Sequence, residues 1–150
     1  MTLDHKGMDE LRVLFGDYLA VSDMAVINAD DAEALALAGR ARLAITYGID
    51  AADARIGVAA GSIREEARGI GATVLDRAEG REAELSLQVP GRHNLSNALA
   101  ALGAAMAVGV DFDVAVKALG RFTGLARRFD IVGTSASGVT VIADFGHNPD

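Results

Sequence analysis

Two carboxamides stand three residues apart in the segment Pro90-Gly91-Arg92-His93-Asn94-Leu95-Ser96-Asn97-Ala98-Leu99-Ala100-Ala101. On a helix, that spacing places Asn94 and Asn97 on one face of the first turn. A carboxamide carries both a donor and an acceptor, which suits the edge of an adenine ring. The same residues also read as a plain turn and helix start. In that reading His93 or Asn94 satisfies free helix amides, and Asn97 faces solvent. Three further groups carry potential chemistry. Leu3-Asp4-His5 precedes a helix and either ligates a metal or caps the helix. Arg127-Arg128-Phe129-Asp130 holds two guanidinium forks, suited to clamping a phosphate or to a solvated surface. Asp144-Phe145-Gly146-His147-Asn148-Pro149 follows an apolar run. Ligands of open α/β sheets gather at the C-terminal ends of strands, while a turn accounts for Gly146, Asn148 and Pro149 equally well. The 150 residues contain no GxxxxGK[ST] phosphate loop and no GxGxxG fingerprint. The residues alone therefore point to an α/β protein with a nucleotide or metal site.

The elements that must position these groups follow from periodicity. Leu11, Leu14, Phe15 and Leu19 recur at helical spacing, which predicts an amphipathic helix over Met8–Leu19. Met24–Asn28 is a short apolar run that reads as a buried strand. Ala29-Asp30-Asp31 then offers an N-cap, and Ala32–Ala38 continues as a helix stopped by Gly39. Arg42–Gly48 reads as a second strand. Helix, strand, helix, strand in this order predicts an open, mostly parallel sheet flanked by helices. Between residues 54 and 89 the segments are short: Arg55–Ala60, Ser62–Arg68, Ala72–Asp76 and Glu82–Val89. Gly61, Gly69, Gly71 and Gly80 read as the turns between them. Glu82–Val89 alternates with period two, so this stretch reads as a small antiparallel sheet. An Ala-rich helix over His93–Val108 and a second over Phe112–Phe122 follow. Two strands, Phe129–Val132 and Val139–Ala143, come last, joined by a Gly/Ser loop. The chain stops two strands into this new unit, which reads as a truncation.

Composition bounds the function. Hydrophobic residues make up 51% and charged residues 23%, a globular balance. The absence of cysteine removes disulfides and thiolate metal sites. Asp plus Glu outnumber Lys plus Arg by 21 to 14, for a net charge of −7, and no basic stripe is present for nucleic acid. The longest uncharged stretch, His93–Val110, is interrupted by Asn, Ser and Gly and is too polar to span a bilayer. The first 20 residues lack a signal-peptide pattern, so the expected compartment is the cytoplasm.

Val89-Pro90-Gly91-Arg92-His93-Asn94 with Asn97-Ala98-Leu99-Ala100-Ala101 strongly resembles the Mur ligases, the ATP-dependent amide ligases of peptidoglycan synthesis. Other motifs agree in order. Leu3-Asp4-His5 resembles the family's Asp-His. Gly124-Leu125-Ala126-Arg127-Arg128-Phe129-Asp130 resembles its Gly-x-x-x-Arg-Phe-Glu hinge. Val141–Pro149 resembles the Asp-(Tyr/Ser)-x-His-(Asn/His)-Pro motif just beyond.

The resemblance implies ATP and Mg2+ as cofactors and a role for each position. His5 would bind a magnesium ion. Asn94 and Asn97 would sit at the adenine, with His93 near them. Arg128 would reach the nucleotide across the hinge, Asp144 would contact the ribose, and His147 with Asn148 would shape the hinge-side wall. Residues 1–126 would be the distal part of the central ATP-binding domain, and 127–150 the start of the C-terminal domain. The partners would be a nucleotide, a carboxylate and an amino acid. Several members carry a carbamoylated lysine downstream of the motif histidine, whereas Tyr18-Leu19-Ala20-Val21 has none. That difference points to the alanine-adding branch and its tripeptide-recycling relative. The Gly-His-Asn-Pro ending also resembles the ligase half of cyanophycin synthetase. The family's phosphate loop falls outside these residues, so the isolated chain is expected to be inactive and to self-associate, as a homodimer pairing open sheet edges. The rival expectation is a non-catalytic nucleotide-binding or interaction module.

Overall fold

The computed structural model describes residues 7–125 and 130–143. Helix α1 (Met8–Ala20) is followed by strand β1 (Ala25–Asn28), helix α2 (Ala32–Leu37) and strand β2 (Ala44–Tyr47). These match the helix–strand–helix–strand order expected from periodicity. Boundaries differ by one or two residues at α1, β1, α2 and β2. The α-helical part of α2 ends at Leu37, and a 3-10 turn, Ala38–Arg40, carries the chain through Gly39. Strands β1 and β2 are parallel, in register from Ala25 opposite Ala44 to Asn28 opposite Tyr47.

Strand β3 (Ile56–Val58) pairs parallel with β2 on one side and antiparallel with β5 (Gly69–Asp76) on the other. Strands β4 (Arg64–Glu66) and β6 (Arg81–Leu87) both flank β5 antiparallel. The parallel and antiparallel portions are thus one six-stranded sheet joined at β3. Gly69 and Gly71, expected as turns, lie inside β5 instead. Glycine is needed at position 69, where a Cβ would stand 2.6 Å from the Leu87 carbonyl oxygen, while a Cβ on Gly71 would stand 3.1 Å from the movable Arg64 guanidinium. The expected period-two strand is present in β6, where Leu85 and Leu87 are buried and Glu82, Glu84 and Ser86 are exposed.

Helix α3 (Arg92–Ala107) lies across this sheet. Leu95, Ala98, Leu99, Leu102 and Gly103 are its buried residues, spaced i, i+3, i+4, i+7 and i+8, one apolar stripe on an otherwise Ala-rich cylinder. Each leucine removed from water contributes about 1.5–3 kcal/mol. The stripe meets Ile45, Ile56, Ile70, Val74, Leu85 and Leu87 from the sheet. Helix α4 (Phe112–Leu119) closes the core with Phe112, Ala115 and Val116. Arg81 at the start of β6 reaches it: its guanidinium lies 5.2 Å from the Phe112 ring centre and pairs with Asp111 and Asp113. A two-stranded hairpin, β7 (Asp130–Thr134) and β8 (Thr140–Ala143), comes last, as expected from the sequence.

Caps explain where the short helices begin. The Asp31 carboxylate accepts from the amides of Glu33 and Ala34 at 2.9 and 3.0 Å. Asp111 does the same for Asp113 and Val114 at 3.0 and 3.2 Å. Asp31→Ala is expected to cost about 1 kcal/mol, the usual loss of an N-cap. Faster amide hydrogen exchange at Glu33 and Ala34 checks it. Unchanged exchange there would mean the cap does not hold α2.

Candidate functional site

The C-terminal ends of the parallel strands β1 and β2 open toward a set of ordered loops. Beyond β1, the Asp30 carboxylate accepts from three backbone amides of the β2–β3 loop: Ile49 at 2.6 Å, Asp50 at 3.0 Å and Ala51 at 2.7 Å. Gly48 permits this approach, because a Cβ there would sit 2.7 Å from Asp30 Oδ1. The half-buried Tyr47 hydroxyl beside it is pushed above its ordinary pKa by burial, and then by the charges of Asp30 and Asp31.

The first turn of α3 arrives at the same place. Asp50 pairs with Arg92, the first residue of α3, at 2.8 Å. Gly91 precedes it with φ of +97°, a conformation favouring glycine, and the His93 ring folds back against it. A Cβ on Gly91 would be 2.7 Å from the ring's Cε1. Among the described residues, no side chain caps the first amides of α3. This corrects the capping reading of His93 and Asn94. The Asn94 amide nitrogen points backward and donates to the Pro90 carbonyl at 2.7 Å, which ties the turn to the helix and leaves one N–H and the carbonyl oxygen of the carboxamide. Asn94 is half-buried, while His93 and Asn97 are exposed. A cavity of about 480 Å³ adjoins Arg92 and is lined also by Ile49, Asp50, Val58, Ile63 and Arg77. That volume lies in the range of small-molecule sites.

The structure therefore brings three of the expected residues, His93, Asn94 and Asn97, to one helix start at the C-terminal edge of parallel strands. That is where open α/β sheets take their ligands. Two carboxamides one turn apart offer donors and acceptors of the kind a purine ring edge can pair with. Among the described residues, no three His, Asp or Glu side chains gather into a metal site. His5, Arg128, Asp144, His147 and Asn148 lie outside the described residues. Sequence reading missed Asp30, Asp50 and Arg92 as members of this site. The signal for them was available in Asp30 just after one strand and Gly48 just after the next, but their bonds span about twenty to forty residues and leave no periodic trace.

A second ionic group joins the start of β3 to the end of β5. Arg55 holds the inaccessible Asp76 carboxylate through Nε at 3.0 Å and Nη2 at 3.1 Å. Burial alone would raise the Asp76 pKa, but the Arg55 bonds and charge, with the amides of Ala78 and Glu79, outweigh it and hold the carboxyl below its ordinary value. Full pairing and the complete burial of Asp76 make this a structural bridge.

Comparison with known proteins places these observations. The model of the Mur ligase middle domain matches residues 9–105. The UDP-N-acetylmuramate–L-alanine ligase of Kineococcus radiotolerans is 38% identical over 98% of this chain and 31% of its own length. The enzyme of the same name from Xylella fastidiosa is 41% identical over 84% of this chain and 27% of its own length. The chain thus spans about a third of the curated relatives it matches. Among solved structures, the UDP-N-acetylmuramate-alanine ligase of Thermotoga maritima superposes with a TM-score of 0.77 at 26% identity, covering 95% of this chain and 31% of that one.

Proposed function

We propose, from the premise that this chain belongs to the Mur ligase family, that the start of α3 holds the adenine of ATP in a carboxylate–amine ligase of peptidoglycan precursor synthesis or recycling. The observation that carries this reading is the placement of Asn94 and Asn97 on the first turns of α3, beside the C-terminal ends of β1 and β2. ATP, when bound, supplies the phosphoryl group that turns a carboxylate into an acyl phosphate open to attack by an amine. Within the chain, Asn94 and Asn97 read the ring edge and His93 flanks them. Arg128, Asp144, His147 and Asn148 complete the nucleotide site, and His5 holds magnesium. Residues 1–126 belong to the ATP-binding domain and 127–150 begin the next. The names of the relatives at 38–41% identity favour the alanine-adding branch. A ligase that draws on the ATP pool works in the cytoplasm, and among the described residues no helix is long and apolar enough to cross a membrane. No phosphate loop is present in the 150 residues, so by this reading they bind nucleotide without turning it over.

The test is ATP binding by calorimetry to the 150-residue chain and to Asn97→Ala. Loss of the ring-edge contact leaves a polar group unpaired in the complex and is expected to weaken binding by about 1–3 kcal/mol. Unchanged affinity would return Asn97 to a solvent-facing helix position. Absence of ATP binding by the unaltered chain would overturn the site altogether.

A further inference from the structure

The angle at which α3 leaves the Pro90-Gly91 turn is not set by a side-chain cap. The buried stripe seats the helix on the sheet, and two further contacts hold this end. One is the Asn94 bond to Pro90. The other is Arg92 Nη2 on Asp50 Oδ1, a contact that reaches across 42 residues of sequence. Asp50 is in turn not free to wander. Its own amide, with those of Ile49 and Ala51, is held by the Asp30 carboxylate, and Asp30 is anchored by its amide donating to Asn28 Oδ1 at 3.0 Å. The series therefore runs from the end of β1, through Asp30 and the β2–β3 loop, to the residue immediately before His93.

We infer that Asp50 and Arg92, held by Asp30, are positioning residues that set the first turn of α3, with Asn94 and Asn97, for nucleotide. This rests on the adenine assignment above. The exposure of the pair supports a geometric role. The Arg92 and Asp50 side chains are 45% and 81% exposed, and ion pairs so exposed contribute little to stability. What the pair does is fix one end of a long helix relative to a loop held by three backbone hydrogen bonds. Both residues line the cavity beside that end, so a shift of either alters the space offered to a ligand.

The experiment measures the Kd for ATP, by calorimetry, on the 150-residue chain and on Asp50→Asn, Arg92→Gln, the double variant, and the charge-exchanged Asp50→Arg with Arg92→Asp. Melting temperatures are taken in parallel. Each single variant is expected to weaken ATP by about three- to tenfold, the range of coupling between groups in contact. The melting temperature stays near that of the parent. The double variant is no weaker than the worse single, and charge exchange recovers part of the loss. Full ATP affinity in both singles, together with a loss in Asn97→Ala, overturns this inference alone and makes the contact an ordinary surface ion pair. Full affinity in Asn97→Ala as well overturns the adenine reading and this inference with it. Losses in the two singles that add in the double variant, with none recovered by charge exchange, also overturn it, because the residues then act separately.

Discussion

Arg55→Ala is expected to lower the unfolding free energy by about 3 kcal/mol, the lower end of the range for breaking a buried ion pair, because the Arg55 side chain itself is one-third exposed. The cost comes from the partner left behind. Asp76 has no accessible surface, and without the guanidinium its charge keeps only backbone donors such as the amide of Ala78 at 3.1 Å. The pair also stitches the sheet. Arg55 directly precedes β3, and Asp76 ends β5 opposite Ile56, so the bridge sits at the seam between parallel and antiparallel strands. The pH dependence separates this account from simple loss of packing. In the parent the Asp76 carboxyl is held below its ordinary value of 3.8. The unfolded chain then binds the proton more readily than the native chain. The bridge's contribution is complete above the unfolded pKa and is lost as pH falls through the folded one. In Arg55→Ala burial dominates and raises the Asp76 pKa, so the sign reverses and the variant regains part of its deficit as the pH is lowered from neutral. Urea unfolding of both proteins between neutral and mildly acidic pH measures it. A deficit that does not shrink as pH falls would mean that Asp76 is not the group left exposed to the loss.

Gly103→Leu is expected to cost about 3 kcal/mol, the upper end of ordinary overpacking, and to weaken ATP binding as well. Gly103 is where α3 touches the sheet. A Cβ there would lie 2.9 Å from Val26 Cγ1, 3.3 Å from Ile56 Cδ1 and 3.5 Å from Ile45 Cγ2. Helix propensity favours almost any residue over glycine by up to about 1 kcal/mol. Contacts this short with three β-branched side chains outweigh that gain, and a leucine adds three more carbons into filled space. The helix must lift at Gly103, and the tilt carries through a rigid rod to its far end, where Asn94 and Asn97 stand nine and six residues away. Gly39→Ala is the control, since a Cβ there meets nothing within 4 Å. The urea midpoint should drop for Gly103→Leu and hold for Gly39→Ala. A parental midpoint in Gly103→Leu would show that α3 does not press on β1 as described.

These two positions also show what the sequence concealed. Local periodicity was sufficient for α1, β1, β2, β6, α3, α4 and the final hairpin, because each needs only a stripe or an alternation visible within its own residues. Gly69 and Gly71 carried the composition of turns yet serve as strand residues, and what selects glycine at position 69 is a neighbouring strand, through the Leu87 carbonyl. Gly103 was one small residue among many in an Ala-rich run, and only the packed helix distinguishes it. The Arg55–Asp76 bridge joins residues 21 apart with no intervening pattern. At the candidate site, the Asn94/Asn97 spacing was legible as helix geometry. The direction of the Asn94 amide, toward Pro90 and not toward the helix amides, depends on Gly91 at positive φ and was not.

The join at β3 has a consequence for the nascent chain. Strands β5 and β6 pair over seven residues, from Ile70 opposite Leu87 to Asp76 opposite Arg81, around a four-residue turn. Such sequence-local contacts form early. They need no residue of α3 or α4, which leave the ribosome after β6. Until those helices arrive, Ile70, Ala72, Val74, Leu85 and Leu87 have lost only their backbone polarity to the hairpin, and their side chains face water. The next roughly 30 residues, through Leu119, emerge over about 2–6 s at about 5–20 residues per second. For those seconds the growing polypeptide presents a preformed apolar sheet face, the kind of surface a holdase chaperone recognises.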